Sequence, residues 1–232
     1  MGNGLFITFE GVDASGKTTQ IERTAQWLEE TLGVRVVTTR EPGGTPLGQQ
    51  IRELILHGPG DMDDRCEALL YAADRAYHVA TKIRPALAAG QVVLQDRYLD
   101  SSVAYQGAAR SLGVGDVRSL NTWGTQGLLP DVTVLLDVDP LDAARRRDGA
   151  QDRLELEGVA FQQAVREQYL QIKEGSDGRV KLVNAGEAPG AVQAQIRRVL
   201  TPVIEQWRRC RGVREGAGRP ARGKARGSDS LG

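Results

Sequence analysis

Five short apolar runs punctuate the chain: Leu5 to Phe9, Val34 to Thr39, Gln91 to Gln95, Val132 to Leu136 and Val180 to Val183. Each is largely continuous rather than alternating, which is how a strand buried on both faces reads. Between them, apolar residues recur at helical spacing. After Lys17, the positions Ile21, Thr24, Ala25 and Leu28 share one face, Glu29 and Glu30 fall outside it, and Gly33 stops the helix. Further helices are predicted over Leu47 to Leu56, and from a cap at Asp63 or Asp64 to Ala89 with a kink at Pro85. Others are predicted over 101–127 with a break near Gly113, Pro140 to Arg147, Glu157 to Glu174 and Pro189 to Trp207. The alternation predicts an α/β fold, a five-stranded parallel sheet with helices on both faces. Ligands of such sheets bind beyond the carboxyl ends of the strands, which directs attention to the residues after Phe9, Thr39, Gln95 and Leu136.

Composition sharpens this only in places. A chain of 232 residues, 40% hydrophobic and 26% charged, suits one folded domain, expected over 1–207. No apolar run approaches the roughly 20 residues of a membrane helix. The N-terminus lacks the basic region of a signal peptide, so a cytoplasmic location is expected. Cys66 and Cys210 form neither a disulfide framework nor a metal-ligand set. Net charge is zero but uneven: residues 208–232 hold eight Lys or Arg against two acids, leaving the rest acidic. With almost no large apolar residue, that tail is expected to be a disordered, solubilising extension. No aromatic residue interleaves its arginines, so nucleic acid is not expected as a partner.

The segment Gly11-Val12-Asp13-Ala14-Ser15-Gly16-Lys17-Thr18 matches G-x-x-x-x-G-K-[ST] between a buried strand and an amphipathic helix. Its glycines let backbone N–H groups converge on phosphate oxygens at a helix N-terminus. Lys17 would reach the β and γ phosphates, and Thr18 would face Mg²⁺. A P-loop NTPase fold follows, with ATP contacts over Gly11 to Thr19. Such a loop announces nucleotide binding and leaves a GTPase switch, an ATPase and a small-molecule kinase open. The absence of an Asn-Lys-x-Asp motif weighs against the first. A kinase needs cations for a phosphorylated acceptor and a means of excluding water. Arg40, Arg75 and Arg97 fit the first need, and the charged segment from Arg145 to Arg153 fits a mobile lid.

Several stretches together resemble the bacterial thymidylate kinases: Phe9 to Gln20, Thr39-Arg-Glu-Pro-Gly-Gly-Thr45, Leu70-Tyr-Ala-Ala-Asp-Arg75, Asp96-Arg-Tyr98, Ser101-Ser-Val-Ala-Tyr-Gln-Gly107, Pro130-Asp131, Leu136-Asp-Val138 and Asp152-Arg-Leu-Glu155. They run in family order from about residue 5 to 207. The resemblance implies ATP + dTMP → ADP + dTDP with Mg²⁺ in a homodimer. A related kinase acting on another deoxynucleotide or deoxynucleoside is the alternative. It further implies that Arg40 and Arg97 hold the dTMP phosphate, where forked guanidinium hydrogen bonds suit phosphate oxygens. Asp96 would hold Mg²⁺ through water with Thr18. Tyr71 would stack on thymine, Arg75 would reach a carbonyl edge of the base, and Ser102 and Gln106 would read its imide edge. Tyr105 would pack on the sugar and disfavour a 2′-hydroxyl, and Asp13 would sit near the sugar hydroxyl. Glu10 receives no role. One family subclass carries an arginine where this chain has Ala14, so the charge on the transferred phosphoryl group would come from a lid at about 145–156. Arg147 and Arg153 are the favoured donors.

Overall fold

The computed structural model describes residues 4–146 and 157–217. Among them, five strands form one parallel sheet: β1 (Leu5–Glu10), β2 (Val36–Arg40), β3 (Val92–Asp96), β4 (Val132–Asp137) and β5 (Val180–Asn184). Their spatial order is β2-β3-β1-β4-β5. The central strand β1 is buried along its whole length. Ile7 pairs in register with Leu94 on one side and Val132 on the other. The buried polar Thr8 is satisfied across the sheet, its hydroxyl 2.8 Å from that of Thr133. The five-stranded parallel sheet with helices around it agrees with the fold expected from the alternation of runs.

Local chemistry sets the helix ends. Helix α1 (Lys17–Leu32) stops at Gly33, whose φ of 61° needs no Cβ. Helix α2 (Pro46–His57) is capped by Thr45, whose hydroxyl accepts from Gly48 N. Asp63 is the cap of α3 (Asp64–His78), accepting from the N–H groups of Arg65 and Cys66. The predicted run to Ala89 is interrupted. A π-helical turn, Val79–Ile83, precedes α4 (Arg84–Ala88), in whose first turn Pro85 lies. Proline lacks an N–H and crowds the carbonyl four residues back, so the chain widens before it rather than bending at it. The stretch expected over 101–127 divides into α5 (Leu99–Ser102), a π-helical segment Val103–Ala109, and α6 (Val114–Gly124) beyond the expected break at Gly113.

A short helix α7 (Pro140–Arg145) and a long one, α8 (Gly158–Glu174), follow in the second half, before the closing α9 (Pro189–Ala217). The last runs ten residues past the end predicted at Trp207, into the stretch expected to be disordered. Nothing between 208 and 217 breaks a helix outright, since its two glycines are tolerated and proline is absent. None of the described helices is long and apolar enough to cross a membrane. Cys66 and Cys210 are free and exposed.

Candidate active site

The P-loop turns directly from the end of β1 into α1. Gly11 adopts φ 144°. A Cβ there would lie 2.5 Å from the Leu136 carbonyl oxygen, so the tip of β4 excludes any side chain. Gly16, at φ 91°, caps α1 without a side-chain hydrogen bond, leaving the first-turn N–H groups for a ligand. Asp13 to Gln20 line a cleft of about 820 Å³ together with Arg40, Asp96, Arg97 and the β5–α9 loop. Gly11 and Val12 lie beneath the loop, where their carbonyls accept from the Lys17 ammonium at 3.2 and 3.0 Å. Burial brings the Lys17 pKa down to about 8, and the nearby Arg97 charge adds to the effect.

Arg97 follows β3 with φ 62°, a left-handed backbone that turns its side chain back over β1. Its Nη2 meets Asp13 Oδ1 at 2.5 Å and its Nη1 donates to the Gly11 carbonyl at 3.1 Å. The guanidinium lies 5.0 Å from the centre of the Tyr105 ring, whose hydroxyl donates to Asp13 Oδ2. Asp96 Oδ1 is buried and has no hydrogen-bond partner. Arg40 ends β2, exposed and facing the same cleft.

A second cavity, about 40 Å³, opens behind Asp13 and Arg97 between α3 and the 99–109 segment. It gathers Tyr71, Arg75, Ser102, Tyr105 and Gln106, all singled out above. Arg75 is 1% exposed. It donates from Nε to Glu41 at 2.7 Å, from Nη1 to Ser102 and Asn121, and from Nη2 to the Tyr98 carbonyl. Four of its five N–H groups are thereby used, and one remains for a ligand. Glu41 is itself held from the far side by buried His78, whose Nδ1 lies 2.9 Å away.

Several contributors had no signal in the sequence. Helix α8 sends Gln162 to Asp13 Oδ2 at 2.9 Å and the Tyr169 hydroxyl to Glu10 Oε2 at 2.9 Å. Glu10 also accepts from Ser101 Oγ and Tyr98 N. Its burial, with Asp100 nearby, raises its pKa to about 7. Tyr169 repeats with Val165 and Ile172 as an ordinary core residue would. Arg146, grouped above with the lid arginines, is tied by its guanidinium to the carbonyls of Ala185 and Gly186. It forms a flat cationic wall of the cleft. Arg52 also lines the cleft, braced by the Pro42 carbonyl. Arg147, Arg153 and the rest of the lid from 147 to 156 lie outside the described residues.

A family model described as thymidylate kinase matches residues 9–196. The chain belongs to the thymidylate kinase family. It is 54% identical over 197 residues to the thymidylate kinase of Clavibacter sepedonicus, covering 84% of this chain and 93% of that protein. It is 51% identical over 198 residues to that of Bifidobacterium longum, covering 84% and 96%. A crystal structure of thymidylate kinase from Ehrlichia chaffeensis superposes with a TM-score of 0.70 at 31% identity, covering 85% of this chain and 98% of that one. The thymidylate kinase family match ends before the basic stretch 208–232, which therefore lies outside what the family model describes.

Proposed function

We propose that the chain transfers the γ-phosphoryl group of ATP to dTMP, giving ADP and dTDP, the precursor of dTTP. One observation carries this reading beyond the family name. The large P-loop cleft and the small cavity share Asp13, Glu41, Tyr71 and Arg97 as a common wall. Two nucleotides bound on either side would therefore meet phosphate to phosphate at Arg97.

ATP would lie with its phosphates on the Gly11–Thr19 loop and its adenine by Arg146. dTMP would place its base beside Tyr71 and Arg75, its sugar by Tyr105 and Asp13, and its phosphate between Arg40 and Arg97. The orphaned carboxylate oxygen of Asp96 and the Thr18 hydroxyl border the same cleft and suit a hard divalent cation such as Mg²⁺. No group of three ligating side chains occurs among the described residues, so phosphate and water would complete the shell. Bound there, Mg²⁺ would neutralise charge on the β and γ phosphates.

The acceptor phosphate oxygen is already anionic, so no general base is required. The protein's contribution is alignment and fixed positive charge. Lys17 leaves the carbonyls of Gly11 and Val12 for the transferred group. Arg97 exchanges part of its bond with Asp13 for the acceptor phosphate. Arg147 and Arg153 supply charge from the lid. A cytoplasmic homodimer completes the proposal, and exposed Leu69 and Tyr77 on α3 suit a subunit contact. A coupled ADP-release assay across nucleoside monophosphates tests it. Fast release is expected only with dTMP and close analogues, and slow hydrolysis indifferent to dTMP would refute it.

A further inference from the structure

Gln106 is among the residues expected to meet the imide edge of thymine, and the structure shows what decides which end of its amide does so. Gln106 is 1% exposed and lines the small cavity. Its Nε2 donates to Oε1 of Glu67 at 2.8 Å. Glu67 sits on α3 one turn before Tyr71, is completely buried, and lies behind Gln106 rather than in the cavity wall. An ionised carboxylate accepts hydrogen bonds and cannot donate them. Only the NH₂ end of the amide can face it. The carbonyl Oε1 is the end left for the cavity, and it makes no hydrogen bond with any described residue.

The carboxylate is itself held in place. Arg110 Nη2 lies 3.4 Å from Glu67 Oε2, and its other nitrogens reach Asp64 at 3.3 Å and Glu157 at 2.6 Å. The Arg110 guanidinium also lies 5.1 Å from the centre of the Phe161 ring. The guanidinium, itself fixed by Asp64 and Glu157, holds the Glu67 carboxylate in place behind Gln106.

We propose that Glu67 is a positioning residue that sets base specificity. By holding the Gln106 amide, it presents an acceptor to the base and selects a pyrimidine bearing N3–H, thymine or uracil, against cytosine. The inference rests on the dTMP reading above. Cytosine would oppose its N3 lone pair to Gln106 Oε1. It would also turn an amino group toward Arg75, whose remaining N–H needs an acceptor. Both mismatches leave buried polar groups unpaired.

Glu67→Gln tests this. The new amide has nearly the same volume but both donates and accepts, so Gln106 is free to turn over. Wild-type turnover of dTMP is measured first, and its absence would overturn the kinase reading itself. Given that turnover, kcat/KM for dTMP in the variant should fall about tenfold, mostly through KM, and dUMP should follow it. The ratio of kcat/KM for dTMP over dCMP should fall about tenfold or more. A residue that merely packs would lower both substrates together, so an unchanged ratio overturns the inference. Should the variant fail to fold, a wild-type crystal with dTMP decides. N3 within hydrogen-bond distance of Gln106 Oε1, with Nε2 still on Glu67, supports the assignment, and N3 facing any other group overturns it.

Discussion

Lys17 should be a liability to the fold and indispensable to the reaction. Its side chain is buried, and its pKa is brought from 10.5 to about 8. At 1.36 kcal/mol per unit, holding the charged form in the loop at neutral pH costs about 3 kcal/mol. Lys17→Met keeps the stem and removes the charge. Deducting the hydrogen bonds to Gly11 and Val12, the variant should gain about 1–3 kcal/mol without nucleotide, a Tm rise of several degrees. The gain should depend on pH in a definite direction. The unfolded lysine stays protonated to about 10.5, while the native one releases its proton near 8. Between these values the unfolded state binds more protons, so wild-type stability rises with pH. The variant's advantage should therefore be full below pH 8 and shrink as pH climbs toward 10. Thermal denaturation of both proteins from pH 7 to 9.5 measures this, and an ADP-release assay should show kcat lowered about 100-fold or more. A wild type more stable than the variant at pH 7, or a difference flat in pH, would refute the reasoning.

Gly11→Ala forces a Cβ against the Leu136 carbonyl at 2.5 Å, so the loop must shift. ATP should then no longer raise the Tm, and basal stability should drop by about 2 kcal/mol or more. Arg75→Ala removes a buried cation and strands Glu41, Ser102 and Asn121. Urea denaturation should show a loss of about 3–5 kcal/mol, and KM for dTMP should rise in whatever protein remains folded. Arg147→Ala or Arg153→Ala should lower kcat by about 10³-fold with KM for dTMP nearly unchanged, and wild-type turnover in both would exclude them from the transferred phosphoryl group.

Much of the scaffold was legible because short-range rules govern it. Buried parallel strands read as continuous apolar runs, and a P-loop needs its glycines at fixed spacing. What stayed hidden depends on distant pairing. Nothing in the sequence near Tyr169 or Gln162 distinguishes them from other helix residues. They reach Asp13 and Glu10, 149 and 159 residues earlier in the chain, only because α8 packs along the 99–109 segment. Arg146 could not be separated from its neighbours Arg145 and Arg147, since a run of three arginines gives no cue to which of them meets the β5–α9 loop. The π-helical segment over Val103–Ala109 also escaped a reading built on a 3.6-residue period, although it carries Tyr105 and Gln106. Ser102 immediately before it was found by motif alone.

The strand order β2-β3-β1-β4-β5 has a bearing on how such an enzyme could change its taste. Groups assigned to phosphate and metal sprout from the tips of three neighbouring, mutually paired strands, β2, β3 and β1. Those assigned to base and sugar come mainly from helical layers lying over them. Substitutions on α3, the 99–109 segment and α8 that spare Ser101, Tyr105, Gln162 and Tyr169, which bond to Glu10 and Asp13, can therefore retune the accepted nucleobase while the chemical engine beneath stays untouched. Redesign toward a new pyrimidine analogue belongs on those layers, with the sheet left alone.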